Sequence, residues 1–436
     1  MGSGTYDQRK FENIYGEYIG MRIFKFGGAS IKNAEGVRNL VKALRHEGAE
    51  KTLVVISAMG KMTNAFEDLL EAYYNRSHSV EEKQEAIANF HLKIANKLFE
   101  KKHAIFNEIN LLMDELSGFM ARNTSRNYSF LYDQIVGYGE LLSTKIIAAF
   151  LQKSDIKNNW LDIRTIIQTD SNYRNATVDW KTTQKNCISK IDSTILYITQ
   201  GFLSADYLGN TTTLGREGSD FTAGILAYCL DAKSVTIWKD VEGVLNADPR
   251  VFEQTVLLTK ISYQEAIEMA FYGASVIHPK TLKPLENKRI PLYVRSFEDL
   301  KNSGTKVSKG VALDPKTACF IVKKHQVLVS ISATDFSFMV EKNISQIFKL
   351  FHQYKLKVNL IQNSALSFSV CLEDNFNLFE EFYTALHQNF SIKYNRNVTL
   401  YTIRHFDTES MKEIEGRGTV LLKQISRETV QLVMKQ

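Results

Sequence analysis

Residues Thr199–Asp220 read TQGFLSADYLGNTTTLGREGSD. The apolar run Ser193–Ile198 (STILYI) before them predicts a buried strand, and Phe221–Leu230 (FTAGILAYCL) after them predicts a helix. A strand, a glycine-rich polar turn and a helix start form the layout that turns backbone N–H groups towards an anion. Gly201, Gly209, Gly215 and Gly218 allow close backbone approach and positive φ. Thr211–Thr213 add hydroxyls, and Arg216 and Asp220 set a cation and an anion within one short stretch. The plainer alternative is a hairpin-like surface turn followed by Asp220 as a helix cap.

Outward from this stretch, the chain has 436 residues, 44% hydrophobic and 23% charged, which suits a globular protein of two or three domains. The formal charge of +6 is small for this length, and no Lys/Arg run is interleaved with aromatics, so nucleic acid is not an expected partner. The four cysteines are widely spaced without a CxxC pair, which fits buried thiols in a reducing cytoplasm better than disulfides or zinc. No apolar run approaches the length of a membrane span, so no membrane partner is expected. Residues 1–20 lack the apolar core of a signal peptide and read as a leader ahead of the fold. All five prolines fall between 249 and 315, and no glycine occurs between Gly310 and Gly416. The last quarter is therefore a different kind of unit, and the boundary is expected near 301–317.

Strand and helix patterns alternate through the first three-quarters. Met21–Phe26 predicts a strand running into Gly27-Gly28-Ala29-Ser30, with a helix over 34–46. Thr52–Ala58 predicts a second strand, ending in a turn with Gly60, Lys61 and Thr63. Helical spacing of Ile87, Phe90, Ile94, Leu98, Phe106, Ile109 and Leu112 predicts amphipathic helices over the sheet. Glu140 sits among apolar residues at a glycine turn ahead of a helix expected over Thr144–Leu151, either as a helix N-terminal charge or as a binder of a cation. Ser234–Trp238 predicts another strand, leading into the charged loop 239–250. This order implies a mainly parallel α/β sheet with helices on both faces. Ligands of such sheets sit at the carboxyl ends of the strands, so the turns after Phe26, Ala58, Ile198 and Trp238 should converge on one crevice.

The pooled cations Lys25, Lys61, Arg216, Lys239 and Arg250, with several N–H-rich turns, suit a polyphosphate, and hence phosphoryl transfer. No nucleophile with an adjacent histidine base and no His/Cys metal cluster is visible in the sequence. A carboxylate acceptor, with a pKa of about 4, needs no general base at neutral pH, so the missing base favours it over an alcohol.

Lys25–Ser30 (KFGGAS), Val55–Asn64 (VISAMGKMTN), Gly139-Glu140-Leu141, Thr212–Asp220 (TTLGREGSD), Trp238–Arg250 (WKDVEGVLNADPR) and Phe271–Pro279 (FYGASVIHP) resemble the motifs of aspartate kinases, in the same order, across about 21–300. The resemblance implies an amino-acid kinase fold over 21–305. It also implies ATP-dependent phosphorylation of the β-carboxylate of L-aspartate, on the route to lysine, methionine, threonine and isoleucine. It assigns Lys25, Gly27, Gly28 and Ser30 to the transferring phosphates, and Ser57, Lys239, Asp240, Leu245 and Arg250 to the nucleotide. Glu140 would hold the substrate ammonium and Arg216 its α-carboxylate; Thr63 and Ser219 would also face the substrate. Asp220 would lie near Mg2+, which the phosphates would mostly hold. Lys25, Arg216 and Asp220 are the catalytic set so implied. Where many members carry a nucleotide-contacting lysine this chain has Ser275, and Lys239 is expected to supply the missing charge.

Residues 317–436 are similar to the paired ACT regulatory domains of that family, an α+β region that would build a homodimer and an effector site. Gln326–Ser332, the helix 344–354, 357–361 and Leu366–Leu372 predict one βαββ unit. The second unit reads as abbreviated, because the link 409–418 is too short for a long helix. Asn359 and Ala365 stand where they weaken capture of a cationic amino-acid effector. Another amino-acid kinase, acting on glutamate or N-acetylglutamate, and a binding sensor without catalysis are the alternatives.

Overall fold

The computed structural model describes residues 20–215, 217–274, 277–335 and 337–435. The leader expected over 1–20 thus lies outside the described residues except for Gly20, and so do Arg216 and Ser275. The chain forms two compact units. The first holds residues up to 244 with 258–263 and 277–312; the second holds 245–257, 264–276 and 313 onwards.

The first unit is built on an eight-stranded sheet. Its strands are β1 (Arg22–Phe26), β2 (Thr52–Ile56), β3 (Asn159–Leu161), β4 (Tyr197–Gln200), β7 (Ser234–Lys239), β8 (Lys260–Ser262), β9 (Leu292–Ser296) and β10 (Thr305–Ser308), while β5 (Leu203–Ala205) and β6 (Thr211–Thr213) form a separate hairpin. The order is β3-β4-β2-β1-β7-β9-β10-β8, parallel at every pairing except β9–β10. Strands buried on both faces must be apolar along their whole length. Accordingly TLVVI of β2 is buried throughout, and Phe24 and Phe26 of β1 pack on Trp238 of β7 with centroids 5.8 Å apart.

The helices are α1 (Ala34–Glu47), α2 (Met62–Tyr74), α3 (Val80–Leu98), α4 (Ile105–Arg122), α5 (Tyr128–Val136), α6 (Tyr138–Lys153), α7 (Trp180–Lys190), α8 (Gly218–Cys229), α9 (Tyr263–Tyr272), which from residue 264 belongs to the second unit, and α10 (Pro279–Lys288). In α1, Asn33 accepts the Gly36 N–H as N-cap, and Val37, Leu40, Val41 and Leu44 make the buried stripe. α6 packs on β2, β3 and β4, and α8 on β1, β2 and β7. Both were expected to start later: α6 begins at Tyr138, because Gly137 is itself αR, so Glu140 stands in a first helical turn and not at a glycine turn. α8 begins at Gly218, so Asp220 is a first-turn residue and not a cap.

The second unit is a six-stranded antiparallel sheet, order β12-β13-β11-β14-β16-β15. Its strands are β11 (Cys319–Ala333), β12 (Lys357–Asn363), β13 (Ser367–Glu373), β14 (Phe390–Arg404), β15 (Thr419–Ile425) and β16 (Thr429–Lys435); its helices are α11 (Glu341–Gln353), α12 (Phe379–His387) and α13 (Thr408–Glu415). The βαββ reading extends to βαββαβ, since α12 and the first half of β14 complete it. One core gathers Val329, Ile331, Phe351, Val370 and Phe382, and another Tyr401, Ile403, Ile414, Val430 and Leu432. The long strands β11 and β14 pair through both halves and break register near Lys323–Leu328. The link expected over 409–418 is occupied by α13, only eight residues long and starting at Thr408.

Within this unit a buried ion pair ties the segment 264–276 to β14. Arg404 forks onto Glu265, with Nε–Oε1 at 2.9 Å and Nη2–Oε2 at 2.7 Å, and His405 Nε2 lies 2.9 Å from the same carboxylate. Burial alone would raise the Glu265 carboxyl, but the Arg404 fork and His405 outweigh it and hold the group below the ordinary glutamate range. A carboxyl lowered in the folded state adds stability above its unfolded pKa, and this is lost as pH falls through the folded value. Arg404→Leu should therefore cost about 3 kcal/mol at pH 7, and less at pH 3, read as hydrogen-exchange protection of 319–435 in the full chain under urea.

Candidate active site

Because β4, β2, β1 and β7 run parallel and adjacent, their carboxyl ends open onto one edge of the sheet. The turns there interlock. Gly28 accepts the Gly60 N–H at 2.9 Å, and Ser143 Oγ donates to the Ser57 carbonyl at 2.8 Å. A Cβ on Gly28 would stand 2.6 Å from the Ala58 carbonyl oxygen, so this turn admits glycine alone without a shift. A Cβ on Gly201 would stand 2.4 Å from Ser219 Cβ, which is why the turn after β4 can seat the start of α8. Phe202 donates its N–H to Thr222 Oγ1 at 2.9 Å, fixing the same junction.

A cavity of about 650 Å3 at this edge is lined by Lys25, Ser57, Thr63, Asn64, Glu67, Tyr132, Glu140, Arg174, Phe202, Gly215, Glu217, Gly218, Ser219 and Asp220. Of the residues expected from the sequence, Lys25, Ser57, Thr63, Glu140, Ser219 and Asp220 meet in it. Lys25 Nζ lies 2.6 Å from Asp220 Oδ1, with both side chains nearly buried. Lys239 is half-buried at the end of β7; desolvation lowers its pKa, Asp220 opposes this and Lys25 adds to it, so Lys239 shares the field of that pair. Ser30 turns inward and donates to the Trp238 carbonyl at 3.2 Å, tying the glycine turn to β7. Gly27 and Gly28 form the start of that turn, and Asp240 follows β7 in a surface bend. Leu245 and Arg250 belong to the second unit, where Arg250 forks onto Asp248 at 3.0 and 2.7 Å.

Glu140 is the most perturbed acid of the cavity. It is 3% exposed, and its Oε2 has no hydrogen-bond partner. Burial pushes its carboxyl up to about 8, against backbone N–H groups of Ala58 and of Glu140 itself and the charge of Lys25. Its helix is locked in place: Thr144 Oγ1 donates to the Glu140 carbonyl at 2.8 Å and accepts from Gln200 of β4 and Trp160 of β3, both at 3.0 Å. A buried carboxyl with an open oxygen, beside a cavity, is suited to a desolvated ammonium group.

The residues that sequence reasoning missed are Asn64, Glu67, Tyr132, Arg174, Phe202 and Glu217. Asn64, Phe202 and Glu217 lie within the quoted stretches without having been singled out, whereas no motif marks Glu67, Tyr132 and Arg174, which α2, α5 and the 166–179 loop bring to the cavity. Among the described residues no cluster of three His, Cys, Asp or Glu could hold a metal, and no helix is long and apolar enough to cross a membrane. All four cysteines are buried free thiols.

Residues 20–296 match the model of the amino acid kinase family. The lysine-sensitive aspartokinase 3 of Escherichia coli is 30% identical over 356 residues, covering 80% of this chain and 78% of that protein. The chain belongs to the aspartokinases of the amino acid kinase family. A bifunctional aspartokinase/homoserine dehydrogenase of Arabidopsis thaliana is 31% identical, and the chain spans 40% of that longer aspartokinase. The structure of E. coli aspartokinase III in complex with aspartate and ADP superposes with a TM-score of 0.78 at 26% identity, covering 95% of this chain and 96% of that one. In this aspartokinase the kinase fold is followed by a C-terminal antiparallel sheet region.

The Glu140 carboxyl has a folded-state pKa above its unfolded value of 4.5. The folded state therefore keeps a proton that the unfolded chain loses, and stability falls as pH rises from 4.5 to about 8. Glu140→Gln should raise the melting midpoint by about 5 °C at pH 8 and change it little at pH 4, as measured by calorimetry.

Proposed function

We propose that this chain transfers the γ-phosphoryl group of ATP to the β-carboxylate of L-aspartate, giving 4-phospho-L-aspartate and ADP, a first step towards lysine, methionine and threonine. The observation that carries the reading is the pairing, in one cavity, of the buried open carboxyl of Glu140 with the Lys25–Asp220 pair beside a glycine turn. Aspartate brings one ammonium and two carboxylates. Its ammonium enters against Glu140, which sheds its proton as the cation arrives. Its β-carboxylate faces Lys25 and Gly27–Gly28. That carboxylate is ionised at neutral pH, so an oxygen lone pair attacks the γ-phosphorus without a base. The new O–P bond forms as the bond from the γ-phosphorus to the bridging oxygen of ADP breaks, and charge builds on the equatorial oxygens. Lys25 and Lys239 are the cations that offset it. Arg216 grips the α-carboxylate.

Asp220 offers a hard oxygen at the phosphate end, which fits a magnesium ion held mainly by phosphates and one carboxylate. Asp220 would help to hold the ion, and Mg2+ would supply charge neutralisation to the transferring phosphates. Asp220 also keeps Lys25 oriented across the cavity. The C-terminal sheet builds a homodimer in this reading. Asn359 is engaged there, accepting from Lys323 Nζ at 2.8 Å and donating to Gln326 Oε1 at 2.7 Å, which supports a weak response to a cationic effector such as lysine.

Trapping of acyl phosphate with hydroxylamine, with MgATP and L-aspartate, should give aspartyl hydroxamate, with glutamate inert. Lys25→Ala and Arg216→Ala should each lower the rate by about 100-fold or more; hydroxamate from glutamate instead would reassign the substrate. Lys239→Ala should raise the KM for ATP by about tenfold with the KM for aspartate nearly unchanged, and equal nucleotide affinity in the variant would remove Lys239 from the phosphate site.

A further inference from the structure

Arg174 lies in the loop between β3 and α7, with φ at 70°, in the left-handed region that strains a side-chain-bearing residue. Glycine would sit there without strain. The loop is pinned by Asp133, which is fully buried. Its carboxylate accepts the Arg174 N–H on both oxygens, at 3.1 and 3.0 Å, and the Thr213 N–H and Oγ1, at 2.9 and 2.7 Å. The guanidinium lies over the Tyr132 ring, 4.6 Å from its centroid, with the Tyr128 ring at 5.7 Å. The Tyr132 hydroxyl donates to Glu67 Oε1 at 2.8 Å, so the aromatic shelf under the guanidinium is itself fixed.

Arg174, Tyr132 and Glu67 line the same cavity as Lys25, Glu140 and Asp220. Among the described lining residues the cations are Lys25 and Arg174, and Lys25 is paired with Asp220. The reacting carboxylate of an amino dicarboxylic acid must face the glycine turn and Lys25, and its ammonium the open oxygen of Glu140. Its α-carboxylate then points away from the phosphates, and Arg174 is a described lining cation available to it in addition to the role proposed for Arg216.

We propose that Arg174 is a specificity-determining residue, its guanidinium held on the Tyr132 ring to receive the α-carboxylate of the amino-acid substrate, a role additional to that proposed for Arg216. The assignment rests on the functional reading above. A carboxylate has lone pairs for both guanidinium forks. The fixed aromatic support lowers the ordering cost that a free arginine would meet on binding.

Calorimetric titration in the presence of ADP and Mg2+ tests this with L-aspartate and its α-amide, L-isoasparagine, on the wild type and on Arg174→Gly, Arg174→Gln and Arg174→Lys. The glycine variant suits the φ of 70° and so removes the guanidinium while relieving the backbone. The aspartate Kd should rise about tenfold or more in the glycine and glutamine variants and recover in part with lysine. Isoasparagine, which lacks the α-carboxylate, should bind all four proteins alike, and ADP affinity should hold within about twofold. Unchanged aspartate affinity in Arg174→Gly overturns the assignment, as does an equal loss for isoasparagine. A loss of ADP affinity moves Arg174 to the phosphates and also overturns it. A wild type that binds no aspartate removes the functional reading itself, and this assignment with it.

Discussion

The ion pair between Lys25 and Asp220, 2.6 Å long and almost out of water, is the contact around which the first unit is arranged. Neither charge could be buried alone, since an isolated buried ion costs far more than a hydrogen bond returns. The pair therefore couples two elements far apart in sequence: the end of the central strand β1 and the first turn of α8. For Asp220 to reach Lys25, α8 must start close against the turn after β4, which the absent side chain of Gly201 permits. For Lys25 to lie at that edge, β1 must be flanked in parallel by β2 and β7. The same placement sets Lys239 in the field of the pair and Glu140 within reach of the charge of Lys25.

The cavity next to this pair is held in a state that opposes folding and favours a ligand. Glu140 is kept buried with an open oxygen, and its carboxyl is driven towards the neutral form by desolvation. Arg174 is kept in a left-handed backbone conformation. Both features cost stability where they stand, and both are secured by ordinary structure behind them: the Thr144, Gln200 and Trp160 bonds behind Glu140, and the buried Asp133 behind Arg174. Strain gathered at one edge and support one layer deeper is what a preorganised site requires.

Much of the fold could be read directly. Apolar runs such as TLVVI and SVTIW announce strands buried on both faces, and the Asn33 cap with its stripe announces α1. The opening stretch held parts of both readings, although the hairpin strands are buried and Asp220 is not the helix cap. Residues 203–213 do form a hairpin, and the glycines around it do present α8 to the cavity. The starts of α6 and α8 were placed too late, because glycine was read as a turn former while Gly139 and Gly218 are helical, packed too tightly for a side chain. α12 was missed, although Phe379, Phe382 and Leu386 carry its buried face, because its flanking loops lack the glycine and proline that mark helix ends.

The sequence by itself determined the alternation of strands and helices, the glycine turns at the strand ends, and the chemical kinds of group gathered there: cations, acids and N–H-rich turns without a base. These are local properties, set by side-chain volume, periodicity and backbone freedom. Only the tertiary structure decided which groups face one another. It paired Lys25 with Asp220, turned Ser30 away to the Trp238 carbonyl, left Glu140 with an unpartnered oxygen, and brought Tyr132 and Arg174 into the cavity from segments with no motif. Burial and distance set those outcomes, and both depend on contacts between residues remote along the chain.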